Sequence, residues 1–152
     1  MDDLASGRQV DVPQQVKLSA AQGAPEIGRY GESVVYHHLL KHRFHLPGFS
    51  TVQTVWTNER EEMGQPYDLV VKLVDANSQF RDVFVEVKAT MTDQKNVFEI
   101  TGREVEFAYK HWHNYHLYRV YNVNNPDRIR ISRIVNLAEK IDKALVKLCM
   151  VV

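Results

Sequence analysis

The segment Val83-Phe84-Val85-Glu86-Val87-Lys88 places the tightest constraint on what this chain can become. Three valines alternate with Phe84, Glu86 and Lys88, and a period of two is the mark of a pleated strand, so the segment reads as a buried β-strand. Alternation sends Glu86 and Lys88 to the same face, about 7 Å apart along the backbone. A carboxylate and an ammonium side by side in an apolar strand are costly unless they pair, or unless something between them needs both.

An earlier run, Asp68-Leu69-Val70-Val71-Lys72-Leu73-Val74, also reads as a strand, and Asp75-Ala76-Asn77-Ser78 after it is turn chemistry. The two runs are expected to form an antiparallel hairpin with its strands about 4.8 Å apart. A carboxylate at the entry of one strand and another near the exit of its partner meet at the same end of such a hairpin. Asp68 and Glu86 are thereby placed to share one divalent cation.

The order Asp68, then Glu86-Val87-Lys88, resembles the metal-dependent nuclease signature written PD-(D/E)XK. A wider pattern runs through most of the chain: Gly28-x-x-Gly31-Glu32, Trp56, Gly64-Gln65-Pro66-Tyr67-Asp68, Glu86-Val87-Lys88-Ala89-Thr90, Phe98-x-Ile100-Thr101-x-x-Glu104 and Tyr118-Arg119-Val120. Together these residues resemble the NO VEIN C-terminal domain, a nuclease-like module found at the end of long proteins and in some prokaryotic defence-like proteins. The chain departs from the short signature at Tyr67, which replaces its proline, with Pro66 one place earlier. Ala89 stands where related domains often carry serine.

The resemblance implies an α/β (α+β) fold: an αβββαβ restriction-endonuclease-like core, with a mixed sheet between helices and an added C-terminal strand and helix. It implies hydrolysis of phosphodiester bonds in DNA or RNA. Asp68, Glu86 and the backbone carbonyl of Val87 make a hard oxygen site of the kind Mg²⁺ or Mn²⁺ takes, with waters completing the octahedron. Lys88 is expected to hold the attacking water and the scissile phosphate, and Thr90 either bonds a phosphate or merely occupies the strand. Glu32 is implied as an accessory metal or water ligand. A carboxylate in a first helical turn is also what the helix dipole favours, and both readings stand.

Along the chain, residues 1–24 are rich in Gln, Ser, Ala, Gly, Asp and Pro without an apolar period, and read as a tail or linker ahead of a single domain over 25–152. Val10, Val12, Val16 and Leu18 leave open that part of the tail docks along the domain. Helical spacing of Ile27, Tyr30, Val34, Val35, Leu39 and Leu40 predicts a helix from Glu26 to His42, with Pro25 at its start. Gly28 and Gly31 each cost a helix about 1 kcal/mol relative to Ala, so a close approach to a sheet or ligand is expected there. His37, His38, His42 and His45 read as solvent-facing or core-edge residues, because the glutamate of the metalloprotease pattern is missing.

Strands are expected over Thr51 to Thr57 and Tyr115 to Val123, with a short extended piece at Val97 to Ile100. Thr101-x-x-Glu104 is a capping-box pattern opening a helix that carries Val105, Ala108, Tyr109 and Trp112. Asn124-Asn125-Pro126-Asp127 is a turn, Arg128 to Ile131 an edge strand, and Asn136 to Leu148 an amphipathic closing helix. Arg103 at the mouth of the Thr101 helix, with Arg119, Arg128 and Arg130, are the candidate phosphate contacts.

Charge and cysteine content bound the function. Lys plus Arg total 19 and Asp plus Glu total 19, so the whole chain has no electrostatic footprint for nucleic acid. The single cysteine, Cys149, excludes a disulfide framework and a cysteine-based zinc site within the chain. No apolar leader or membrane-length segment is present, and an intracellular protein, cytoplasmic or nuclear, is expected. Three readings follow: a metal-dependent nuclease, a noncatalytic module binding protein or nucleic acid at the end of a larger parent chain, or a sheet braced by a structural Glu86–Lys88 salt bridge.

Overall fold

The computed structural model describes residues 8–9 and 23–149. In chain order the elements are β1 (Arg8–Gln9), α1 (Ala24–His42), β2 (Phe49–Trp56), β3 (Leu69–Asp75), β4 (Phe80–Ala89), α2 (Gly102–Lys110), β5 (Tyr115–Tyr121), β6 (Arg130–Val135) and α3 (Leu137–Asp142). The sheet runs β1-β6-β5-β4-β3-β2. β4 and β5 pair in parallel and every other neighbouring pair is antiparallel, so the class is α+β with a mixed sheet. Five strands form its body, and the two-residue β1 completes one edge.

Alternation along β4 sorts the molecule into two layers. Val83, Val85 and Val87 join Tyr30, Val34, Val35 and Leu39 of α1 in one buried cluster, together with Leu69, Val71 and Leu73 of β3. Phe84 turns the other way, to a second cluster with Ala108 and Phe107 of α2, Tyr115 and Leu117 of β5 and Leu137 of α3. A fully buried Leu or Val side chain stabilises such a core by about 1.5–3 kcal/mol. β5 is buried along its whole length, because it lies between β4 and β6 with a helical layer over each face.

The close approach expected of the α1 glycines exists at Gly31 alone. A Cβ there would stand 2.5 Å from the Ala89 Cβ, whereas nothing among the described residues lies within 4 Å of the same atom built on Gly28. The β3–β4 turn follows its sequence: the Asp75 carboxylate accepts from the backbone of Asn77 and Gln79, and Ser78 takes a positive φ.

Other boundaries differ from expectation for identifiable reasons. Residues 97–100 form no strand, and Val97 is 76% exposed. The closing helix is one and a half turns long, not the run from Asn136 to Leu148. It ends in a Schellman arrangement in which Leu145 N donates to Lys140 O and Ala144 N to Ile141 O, with Ala144 at φ +55°. Beyond it Leu145 and Leu148 are exposed, so no buried stripe remains to extend the helix.

β6 begins two residues later than expected. It is not the bare edge, since Arg8 and Gln9 pair with Ile131 and Arg130. The remainder of the N-terminal segment, including Val10, Val12, Val16 and Leu18, lies outside the described residues.

Candidate functional site

β3 and β4 are in the register that the hairpin requires. Leu69 faces Val85, and Asp68 N donates to Val85 O at 2.8 Å, which brings Asp68 beside Glu86 where the two strands open. Since Leu69 and Val85 point into the α1 layer, Asp68 and Glu86 lie on the other face, toward α2. Beyond Leu69 the regular ladder stops, and the Asp68 side chain continues it: Oδ2 accepts from Val87 N at 2.8 Å.

Its other oxygen, Oδ1, accepts from Asn58 Nδ2 at 2.9 Å. Asn58 is itself buried and accepts from Met63 N, while Arg29 of α1 donates to the backbone carbonyls of Asn58 and Glu59. One helix thus fixes the loop that fixes Asp68. Asn58 had no signal in the sequence.

Glu86 is 5% exposed and pairs with Lys88 Nζ at 2.9 Å. The same ammonium reaches Glu104 Oε2, also at 2.9 Å. That oxygen accepts from Thr101 N while Thr101 Oγ1 accepts from Glu104 N, so the expected capping box forms at the start of α2. Glu104 therefore performs two tasks, and only the helix cap was readable, because the pattern accounted for it completely.

Glu32 is reached from the opposite layer, and it lies well inside α1, where Glu26 is the acidic residue of the first turn, so the helix-dipole account does not apply to it. The Gly31 contact presses α1 onto β4, and Trp56 Nε1 at the end of β2 donates to Glu32 Oε2 at 2.7 Å. Tyr115 at the start of β5 closes the site from below, donating its hydroxyl to Pro66 O at 3.3 Å.

These groups lie close enough to disturb one another. Burial raises Asp68 well above the ordinary carboxylate range, with repulsion from Glu32 adding to it and the Val87 N–H and Lys88 working against it. Burial raises Glu86 further, reinforced by Asp68, against the attraction of Lys88. Glu32 is also raised, by burial, although its bonds from Trp56 and Asn58 oppose this. Burial would pull Lys88 down, yet the pairing with Glu86 and Glu104 more than offsets it and its pKa is raised. The Tyr115 hydroxyl is held neutral by burial and by Glu86, Glu104 and Asp68. The site crowds carboxyl groups where little water can spread their charge, and a bound cation would favour their ionised forms.

Among the described residues no three His, Cys, Asp or Glu side chains form a ready-made metal cluster. The donor set that is present is two carboxylates of hard oxygen, which suits Mg²⁺ or Mn²⁺: such ions take one or two protein carboxylates and fill the rest of the shell from water and substrate phosphate. Of the histidines, His37, His42 and His45 are exposed and His38 is half-buried with its ring against His42.

The four arginines are occupied by the protein itself. Arg103 donates to Gly64 O at 2.9 Å and remains exposed. Arg119 is 3% exposed, donates to Lys95 O and lies over the rings of Phe98 and Tyr121, so β5 turns it inward and not toward a ligand surface. Arg128 pairs with the Asp93 carboxylate at 2.7 Å, and Arg130 donates to Asp93 O and stacks on Tyr121. Three of the four thus hold down the polar stretch after β4. Thr90 is buried, with its hydroxyl 3.3 Å from that of Thr92. No described helix is long and apolar enough to cross a membrane.

A family model for the C-terminal region of Protein NO VEIN matches residues 31–132. Protein NO VEIN of Arabidopsis thaliana is 35% identical over 97 residues, covering 63% of this chain and 3% of that protein. Protein NO VEIN-LIKE of the same plant is 35% identical over 99 residues, covering 64% of this chain and 13% of that protein. The chain therefore corresponds to a small part of each relative's length. No solved structure matches it. The span matched by the family model holds Glu32, Asn58, Asp68, Glu86, Lys88 and Glu104 together, and on that match the chain belongs to the NO VEIN C-terminal domain family.

Proposed function

We propose that this domain is a metal-dependent nuclease, with a restriction-endonuclease-like αβββαβ core, that hydrolyses phosphodiester bonds of DNA or RNA. The observation that carries the reading is the burial of Asp68 and Glu86 side by side on the open end of one hairpin, with a lysine ammonium against Glu86. Burying two neighbouring carboxylates is costly, and a site for a hard cation gives that cost a purpose.

Asp68, Glu86 and the Val87 carbonyl would hold Mg²⁺ or Mn²⁺, with Glu32 as an accessory ligand to metal or water. When bound, the ion supplies positive charge for the phosphoryl oxygens and a more acidic water. The chain's own groups do the rest. Asn58 and the Val87 N–H fix the Asp68 carboxylate, and Lys88 offers an ammonium to the phosphate and the incoming water. Trp56 fixes the Glu32 carboxylate, and the Tyr115 hydroxyl stays neutral.

A second reading, a binding module without catalysis, is favoured by the balanced charge of the chain and by the arginines spent on its own backbone. In either case the domain would serve inside the cell as part of a longer chain, through which protein partners reach it.

Calorimetric titration with Mg²⁺ and Mn²⁺, paired with cleavage assays on single-stranded, duplex and branched DNA and RNA, separates the two. Metal binding and cleavage that both vanish in Asp68→Asn support the nuclease. Nucleic acid or protein binding that survives Asp68→Asn, with no cleavage by the wild type, supports the module.

A further inference from the structure

Lys88 stands between two carboxylates drawn from different elements, Glu86 on its own strand and Glu104 on α2, at 2.9 Å from each. All three side chains are largely buried, at 17%, 7% and 13% exposure, so the contacts are made with little water between them. Glu86 faces two claims. Its carboxylate now neutralises Lys88, and the same carboxylate is the one assigned to the cation. Lys88 holds the Oε1 atom of that carboxylate, and a divalent ion on the same group would lie close to the ammonium, so the two cations repel and each weakens the other's hold on Glu86.

Glu104 resolves the conflict. The Glu104 oxygen that meets Lys88 also accepts from the Thr101 N–H, which ties that carboxylate to the start of α2. We infer that Glu104 is a positioning residue for Lys88: as a cation takes Glu86, Glu104 keeps the ammonium at the edge of the site, neither competing for Glu86 nor lost to solvent. Charge supports this arrangement. Asp68, Glu86, Glu104 and Glu32 gather around the single ammonium of Lys88, so a divalent ion would stabilise the ionised forms of its own ligands while Glu104 remains as the counter-charge of the ammonium. The inference rests on Asp68 and Glu86 being cation ligands.

The test is Mn²⁺ affinity by calorimetry on the full chain, in wild type, Glu104→Gln, Lys88→Met and the double variant. A glutamine retains the capping box, since Gln serves at that helix position as Glu does. A residue that only caps α2 would therefore leave Mn²⁺ affinity unchanged in Glu104→Gln.

The expected results are a loss of about tenfold in Glu104→Gln, where Lys88 falls back on Glu86, and a gain in Lys88→Met, where the competitor is gone. In the Lys88→Met background the Glu104→Gln loss should shrink to about twofold, because its route through Lys88 is missing. An unchanged affinity in Glu104→Gln overturns the inference, as does an equal loss in both backgrounds, which would make Glu104 a direct charge on the ion. Absence of Mn²⁺ binding in all four proteins overturns the ligand reading itself, and is distinct from wild-type binding that ignores Glu104.

Discussion

Gly31 sits so close to Ala89 that a single added carbon on Gly31 would stand 2.5 Å from the alanine methyl. This contact sets the depth of α1 on the sheet and hence where Glu32 and Trp56 meet. Gly31→Ala should therefore destabilise the fold by about 1–3 kcal/mol through overpacking. Gly28→Ala, three residues earlier and open on that side, should stabilise it by about 1 kcal/mol through helix propensity. Urea unfolding of the two variants checks the contrast, and equal effects would remove Gly31 from its special place.

Neutral isosteres at the acidic pair should separate cleavage from stability. The net push on Glu86 is toward its uncharged form, so Glu86→Gln should raise the stability of the metal-free protein by about 1 kcal/mol. Asp68→Asn behaves differently, because both carboxylate oxygens accept bonds and an amide turns one of them into a donor facing a donor. A cost of about 1–3 kcal/mol follows. Both variants should lose metal-dependent cleavage. A Glu86→Gln protein that unfolds more easily than wild type would favour the structural salt bridge.

His116 should make the fold acid-sensitive. It is 8% exposed, packs against Phe44, and has a pKa lowered to about 4, first by burial and then by Arg133. At pH 7 the ring is neutral in both folded and unfolded chains. Below about 6.5 the unfolded chain takes up a proton that the folded one refuses, so stability falls until the pH reaches about 4, by about 3 kcal/mol in all. The raised carboxylates act in the opposite sense, since they gain protons more readily when folded. The comparison is therefore wild type against His116→Gln: the stability of the variant relative to wild type, read from urea midpoints, should be greater at pH 5 than at pH 7.

Ala144 occupies the left-handed C′ position of α3, a place where glycine is the usual residue. Ala144→Gly should stabilise the protein by about 1 kcal/mol, because the strain of a Cβ at positive φ outweighs the added freedom of the unfolded chain. Thermal unfolding of this variant measures the gain directly.

The order of elements was legible because each carried its own period: valines at every second position in β4, apolar residues at helical spacing in α1, a capping box at Thr101. The acidic pair was legible for the same reason, since strand alternation and a short turn determine which side chains meet. What escaped was set by contacts distant in sequence. Asn58 acquires its role only when Arg29 draws its loop under Asp68. Glu104 reaches Lys88 only because α2 crosses over that end of the sheet. Arg119 reads as a candidate phosphate contact, and the covering of both faces of β5 is what turns it into the protein. The closing helix is shorter than its leucine spacing suggests, because that spacing states where a stripe lies but not whether anything covers it.

The two pairings of β4 differ in how far the chain must travel to make them. Four residues separate β3 from β4, whereas the parallel partner β5 is reached only through residues 90–114 and α2. Short connections close at lower entropic cost, so the hairpin is expected to assemble first, bringing Asp68 and Glu86 together while water still surrounds them. Glu104 and Tyr115 arrive later, and their docking is the step that dries the site. Kinetics should record this order: Val71→Ala should mainly slow folding, and Leu117→Ala should mainly accelerate unfolding.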